Sequence, residues 1–128
     1  MAATKHDLGQ YFTTDITLKQ CVYKFILNKP DIILEPSVGR GDLIEYIKGL
    51  NPNIKFDLYE IDANIIPLIT DKIIYCDFLK QVINTKYKTI IGNPPYIKTK
   101  KSNLYIDFVE KCVGVLRRQW RADIRCAR

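Results

Sequence analysis

An α/β fold built on a parallel sheet is the class this chain predicts, and three observations predict it. From Asp31 onward, short apolar runs alternate with amphipathic stretches, the order that gives strands separated by helices. Three of the four runs are rich in isoleucine, and all are only four to six residues long, short enough to be buried strands. Glycine, proline or acidic residues follow each run, where a strand must turn into its crossover.

The elements follow in order. Thr17-x-x-Gln20 has the capping-box pattern and opens a stripe of Leu18, Cys21, Val22, Phe25 and Ile26, so a helix is expected to end near Asn28. Asp31 to Glu35 reads as the first strand. Gly41-Asp42 then introduces Leu43, Ile44, Ile47 and Leu50, an apolar stripe at helical spacing for which Asp42 is the expected cap. Lys55 to Glu60 is the second strand, and a short helix limited by Pro67 is expected over Ala63 to Ile69. Lys72 to Cys76 and Lys88 to Ile91 are the third and fourth strands. Ser102 is the expected cap of a last helix carrying Leu104, Tyr105, Phe108, Val109, Cys112 and Leu116. Each of these stripes is explained by core packing alone.

Composition narrows the chemistry. The chain has 128 residues, 47% hydrophobic and 27% charged, the balance of one globular domain. No apolar run approaches the length of a membrane span, and residues 1 to 10 are too polar for a signal peptide, so an intracellular, cytoplasmic protein is expected. Cys21, Cys76, Cys112 and Cys126 are widely spaced, and His6 is the one histidine. Zinc binding and histidine-dependent hydrolysis are therefore disfavoured, and free thiols expected. What remains is chemistry carried by carboxylates, amides and backbone.

The net charge of +6 is concentrated at one end. Residues 117 to 128 hold five arginines and no lysine, whereas residues 1 to 116 hold fourteen lysines and one arginine, Arg40. The expected division is thus a body over 1–116 and an atypical tail over 117–128. A joined reading frame or other artefact accounts for such a tail, with a functional arginine-rich arm as the alternative.

The strand ends carry the functional signal. In an open parallel sheet, ligands bind beyond the carboxyl ends of the strands. There the first strand delivers Glu35-Pro36-Ser37-Val38-Gly39-Arg40-Gly41, the second Glu60-Ile61-Asp62, the third Asp77-Phe78, and the fourth Gly92-Asn93-Pro94-Pro95-Tyr96. Gly39 and Gly41 permit close backbone approach or simply a tight turn. Glu60 stands where a second-strand carboxylate meets a ribose in nucleotide-binding folds, or is a surface acid. Asp77 can accept a hydrogen bond from an adenine amino group, with Phe78 packed on the ring or in the core. No phosphate-loop lysine follows the glycines, and an acidic site favours a ligand bearing positive charge. The amide, prolines and ring of residues 93 to 96 suit a flat amine or amide, although Asn-Pro and Pro-Pro also make plain turns.

With Gly9-Gln10-Tyr11-Phe12-Thr13 before them, these ordered segments resemble the adenine-specific DNA methyltransferases that use S-adenosylmethionine, from about Gly9 to Leu116. The resemblance implies a Rossmann-like methyltransferase fold, here a partial sheet of strand order 3-2-1-4. It implies that Tyr11 and Thr13 flank the methionine part of the cofactor, with Glu35, Pro36, Gly39 and Gly41 near its amino-acid end. It further implies that Glu60 binds the ribose hydroxyls, that Ile61 and Phe78 sandwich the adenine, and that Asp77 takes its amino hydrogen. Thr14 replaces a proline often found after the first segment.

For catalysis, the resemblance assigns Asn93, Pro94 and Tyr96. Adenine's amino nitrogen is delocalised into its ring, and attack on a sulfonium methyl requires it to become tetrahedral. Two acceptors, the Asn93 amide oxygen and the Pro94 carbonyl, favour that pyramidal state. Tyr96 offers a stacking face for an adenine flipped out of duplex DNA, and Lys98, Lys100 and Lys101 are candidates for phosphate contact. The same motif also serves protein-glutamine methylation, and RNA adenine is a further alternative. Relatives of this kind continue past the fourth strand. The expectation is therefore an exposed edge on that strand, awaiting a missing C-terminal half or partner chain, with weak cofactor binding and negligible turnover by these residues alone.

Overall fold

In the computed structural model, which describes residues 14–26, 32–94 and 103–124, five parallel strands form one sheet of order β3-β2-β1-β4-β5. The elements are α1 (Ile16–Phe25), β1 (Ile32–Glu35), α2 (Asp42–Leu50), β2 (Lys55–Glu60), β3 (Ile73–Tyr75), a 3-10 turn (Phe78–Lys80), β4 (Tyr87–Gly92), α3 (Leu104–Val115) and β5 (Leu116–Ile124). All four expected strands form, β2 with the expected bounds, and in the expected order. β1 lies between β2 and β4, pairing Glu35 with Leu58 on one side and Leu34 with Ile90 on the other.

A centrally placed parallel strand buries both faces, which is why the isoleucine runs do not alternate with polar residues. Ile33, Ile91 and Leu58 join Val22, Ile26, Leu43, Ile44 and Ile47 in the core cluster that receives α1 and α2. Leu34, Ile90 and Tyr59 join Phe78, Phe108, Cys112 and Val115 in the cluster that receives α3. The central strands are thus covered on both faces, whereas the expected burial of the third strand is not met: β3 lies at the sheet edge with a neighbour on one side alone, which leaves Ile74 and Tyr75 exposed. Beneath β1, the Tyr87 hydroxyl donates to Asp57 Oδ2 at 2.6 Å, linking β2 to β4.

Several local expectations are corrected. The cap of α1 is Asp15, whose carboxylate accepts from the Leu18 amide at 3.1 Å, and not the Thr17 box. The helix runs to Phe25, with Ile26 as its C-cap, and Cys21 on its predicted stripe is exposed. Gly41 at φ 88° caps α2, because Asp42 is engaged by Arg40 in a two-point pair at 3.1 and 2.9 Å. Leu50 is left 53% exposed by the end of α2. No helix forms over Ala63 to Ile69, where the chain makes turns and bends. Pro67 removes a helical donor, and the Leu68 amide donates instead to the Arg40 carbonyl at 2.7 Å. The cap of α3 is Asn103, accepting from the Ile106 amide at 3.4 Å, and the expected cap Ser102 lies outside the described residues.

The largest correction concerns the fourth strand. Its outer edge is paired in parallel by β5, whose Arg121 to Ile124 align with Thr89 to Gly92. Arginine-rich composition obscured a strand there, since extended backbone pairing does not require the isoleucine pattern used to find the others. Among the described residues, no helix is long and apolar enough to cross a membrane. Ile44 is fully buried between α2 and the sheet. Ile44→Ala is therefore expected to lower unfolding free energy by about 2–5 kcal/mol in chemical denaturation.

Candidate active site at the strand ends

Four chemistry-bearing segments converge at the carboxyl end of the sheet because parallel pairing puts the ends of β1 to β4 on one side. Glu35 closes β1, Glu60 closes β2, Asp77 lies just past β3, and Asn93 follows β4 directly. A shared local device forms three of these ends. The Glu35, Glu60 and Asp77 carboxylates accept from the backbone amides two residues onward, Ser37 at 2.8 Å, Asp62 at 3.0 Å and Leu79 at 3.1 Å. Each acid thereby turns its own chain out of the sheet.

Glu60 does more. Its Oε1 accepts from the Gly39 amide at 2.8 Å, while the Val38 amide donates to the Tyr59 carbonyl at 2.9 Å. The glycine turn after β1 is thus tied to the end of β2. Gly39 and Gly41 have φ of 62° and 88°, conformations that side-chain-bearing residues rarely adopt. Gly41 meets a protein neighbour: a Cβ there would stand 2.9 Å from Ile69 Cδ1. Glu60 Oε1 accepts from the Gly39 amide and Oε2 from the Asp62 amide, which leaves capacity for a ligand hydroxyl, since a carboxylate offers about four lone-pair sites.

Glu35 is 3% exposed and Glu60 5%. Burial, opposed by the Ser37 amide and reinforced by the neighbouring Glu60 charge, raises the Glu35 carboxyl from its ordinary 4.5 to about 8. Burial also raises Glu60, against the Asp62 and Gly39 amides. Among the described residues, both hydrogen bonds to Glu35, from the Ser37 amide and hydroxyl, fall on Oε1. Oε2 accepts none. A cation or a proton is what such a group lacks.

Gly92 backs this acid. A Cβ at Gly92 would lie 2.7 Å from Glu35 Oε1, so the carboxylate rests against the backbone that leads into Asn93. Asn93 is 9% exposed, and Pro36 and Pro94 are buried. Ile61, 52% exposed, presents an apolar side chain at the mouth of β2.

Phe78 is placed differently from an open stacking residue. It is 1% exposed and packs edge-on to Tyr59 at 5.4 Å and in a stack with Phe108 at 5.8 Å. This is the core-packing reading of Phe78, and it corrects the expectation of a ring open to a ligand. Lys111 of α3 lies 4.8 Å from the Phe78 ring centre and donates to the Phe78 and Gln81 carbonyls, holding the turn that carries Asp77. Lys111 was not singled out in the sequence, and Ser37 and Gly92 entered there only as members of their strand-end segments, with no role of their own. Ser37 could have been found from the repeated acid-x-residue spacing at strand ends, whereas Lys111 lies 34 residues from Asp77 and gives no local signal. Tyr11, Thr13, Pro95, Tyr96, Lys98, Lys100 and Lys101 lie outside the described residues. The described residues hold no cluster suited to a metal ion, and Cys21, Cys76 and Cys112 are free. Of these three, Cys112 is buried, its thiol pushed up to about 12 by burial and the Glu35 charge.

A parallel sheet of order 3-2-1-4-5 with acids at the ends of β1 and β2 and a glycine turn between them defines a class I S-adenosylmethionine-dependent methyltransferase fold. A putative methyltransferase of that class from Listeria monocytogenes superposes with a TM-score of 0.69 over 94% of this chain and 49% of its own, at 11% identity. A type I restriction-modification methyltransferase subunit from Streptococcus thermophilus gives 0.70 over 92% of this chain and 35% of its own, at 14% identity. In sequence, the chain is similar to type II methyltransferases. It is 35% identical over 98 residues to M.HincII of Haemophilus influenzae, covering 75% of this chain and 18% of that protein. It is also 36% identical over 106 residues to the ribosomal RNA small subunit methyltransferase A of Flavobacterium johnsoniae, covering 73% of this chain and 40% of that protein. The chain thus spans less than half the length of these relatives. No protein-family model matches it.

Two outcomes follow from the geometry. Because Glu35 holds its proton up to about 8 when folded and gives it up near 4.5 when unfolded, its contribution to stability is full below 4.5 and lost as pH rises through 8. Glu35→Gln should flatten the fall in melting temperature between those values and raise stability at the alkaline end. Gly92→Ala should displace the Glu35 carboxylate and lower the melting temperature by several degrees, an effect diminished in a Glu35→Ala background.

Proposed function

We propose that this site binds S-adenosylmethionine and serves methyl transfer to the exocyclic amino group of adenine in DNA. The observation that carries the reading is the convergence of Glu35, Glu60, Asp77 and Asn93-Pro94 at one end of the sheet. The residues suit the cofactor in kind: a buried acid with an oxygen that has no partner among the described residues for positive charge, an acid with hydroxyl-binding capacity, and a strand-end acid for an amino group.

In this reading, Glu60 takes the ribose hydroxyls, and Asp77 and the exposed Ile61 receive the adenine. Phe78 supports the Asp77 turn from within the core. Glu35, Pro36 and the Gly39 to Gly41 turn border the amino-acid end, with Tyr11 and Thr13 beside it. The bound cofactor supplies an electrophilic methyl group. The Asn93 amide oxygen and the Pro94 carbonyl accept the two hydrogens of the target amine, favouring its pyramidal form. Tyr96 stacks on the extruded base. The Glu35 to Gly92 contact brings the cofactor and acceptor ends together, since the residue backing the acid directly precedes Asn93.

The likeness to a ribosomal RNA small subunit methyltransferase supports a second reading, in which the adenine belongs to RNA. Transfer of labelled methyl groups to duplex DNA and to small-subunit ribosomal RNA in parallel separates the two. Labelling of RNA alone overturns the DNA assignment. Calorimetric titration with S-adenosylmethionine tests the cofactor site: Glu60→Ala should weaken affinity by tenfold or more, about 1.4 kcal/mol or above. Asn93→Ala should leave affinity largely unchanged and abolish transfer. Near-normal transfer by Asn93→Ala would overturn its role as acceptor.

A further inference from the structure

Glu35 is an acid placed where an ordinary carboxylate would not ionise. It is sealed at 3% exposure between the turn of Ser37 and the backbone of Gly92, with the second buried acid, Glu60, on the adjacent strand. Among the described residues, the groups that face it are few: the Ser37 amide and hydroxyl from its own turn, Glu60 from β2, and the Cys112 thiol from α3. None is a cation. The nearby Lys111 ammonium is directed to the Phe78 and Gln81 carbonyls, and the Arg40 guanidinium to Asp42. Among the described residues, Glu35 Oε2 therefore has neither a hydrogen-bond donor nor an ion partner.

We propose that Glu35 is a charge-exchange group that is neutral in the free protein, releases its proton to solvent when the cofactor binds, and thereby selects a cationic ligand. The exchange balances: the neutral carboxylic acid and the ligand's positive group become a carboxylate–cation pair, and one proton leaves to buffer. No covalent bond to carbon changes. Two buried acids on adjacent strands cannot both ionise without compensation, and an incoming positive charge removes that obstacle for one of them. Burial holds the Glu35 proton above neutral pH, to about 8, in the free chain, which supports the same conclusion. A neutral ligand of the same shape would leave the acid protonated and gain no ion pair. This exchange rests on the proposed cofactor site and adds to it a means of discrimination and a pH dependence.

The decisive measurement is calorimetric titration of the full chain with S-adenosylmethionine near pH 6.5, in buffers of different ionisation enthalpy. The dependence of the observed heat on buffer counts the protons exchanged. Close to one proton is expected to be released per ligand bound, and close to none for Glu35→Gln; the difference removes the ligand's own ionisation. Affinity of the unaltered chain should tighten by up to about tenfold per pH unit from about pH 6 to about pH 7.5, and that slope should vanish in Glu35→Gln. Binding without proton release overturns the exchange and leaves the cofactor site standing. Absence of binding overturns both, and the isotherm distinguishes the two failures. A second measurement needs no ligand: carbon-13 NMR of glutamate carboxyls in the free chain should show one resonance titrating above pH 7 and missing from Glu35→Asp. Titration of that resonance near the ordinary 4.5 overturns the proposal even where proton release is seen.

Discussion

The hydrogen bond from the Gly39 amide to Glu60 holds the turn after β1 against the end of β2, and the arrangement of the site depends on it. A left-handed glycine turn has no intrinsic reason to stay at one height above a sheet. Here an acid on the neighbouring strand takes up one of its amides, and the same acid takes up the Asp62 amide that begins the next segment. Two loops are set by one side chain. Its burial gives the bonds strength and also makes the acid costly to ionise, so structural order and electrostatic tension arise at the same place.

That tension distinguishes the two halves of the site. At β1 and β2 the protein concentrates buried acidity, in Glu35 and Glu60. Across β4 it offers an amide and a proline in a buried, nearly uncharged setting. A charged donor and an uncharged acceptor would each find its complement, and β1 and β4 are neighbours in the sheet. The crossover order, with β1 and β4 adjacent though far apart in sequence, is what makes the two halves meet.

Much of this was legible in the sequence, for a physical reason. Short apolar runs report strands, and the residues after them report the edge where polar groups gather, so β1 to β4 and the placement of Glu35, Glu60, Asp77 and Asn93 at one end of the sheet could be read directly. What escaped were features decided by tertiary contact. Asp42 is taken by Arg40 and leaves the cap to Gly41; Leu68 donates to Arg40, so no helix forms before β3; Phe78 faces the core. β5 escaped because its pairing lies in backbone geometry, while its composition suggested an unrelated tail.

The close fit of Glu35 against Gly92 has a consequence for how such a sheet can vary. The two residues sit on adjacent strands and fill one volume: the long acid occupies the space that a side chain at position 92 would need. Lengthening one side demands shortening the other, so an aspartate on β1 would make room for an alanine on β4. Descendants of this chain are thus expected to change the two positions as a pair, and a shift in that pair would move the acid relative to Asn93 without altering Asn93 or Pro94 themselves.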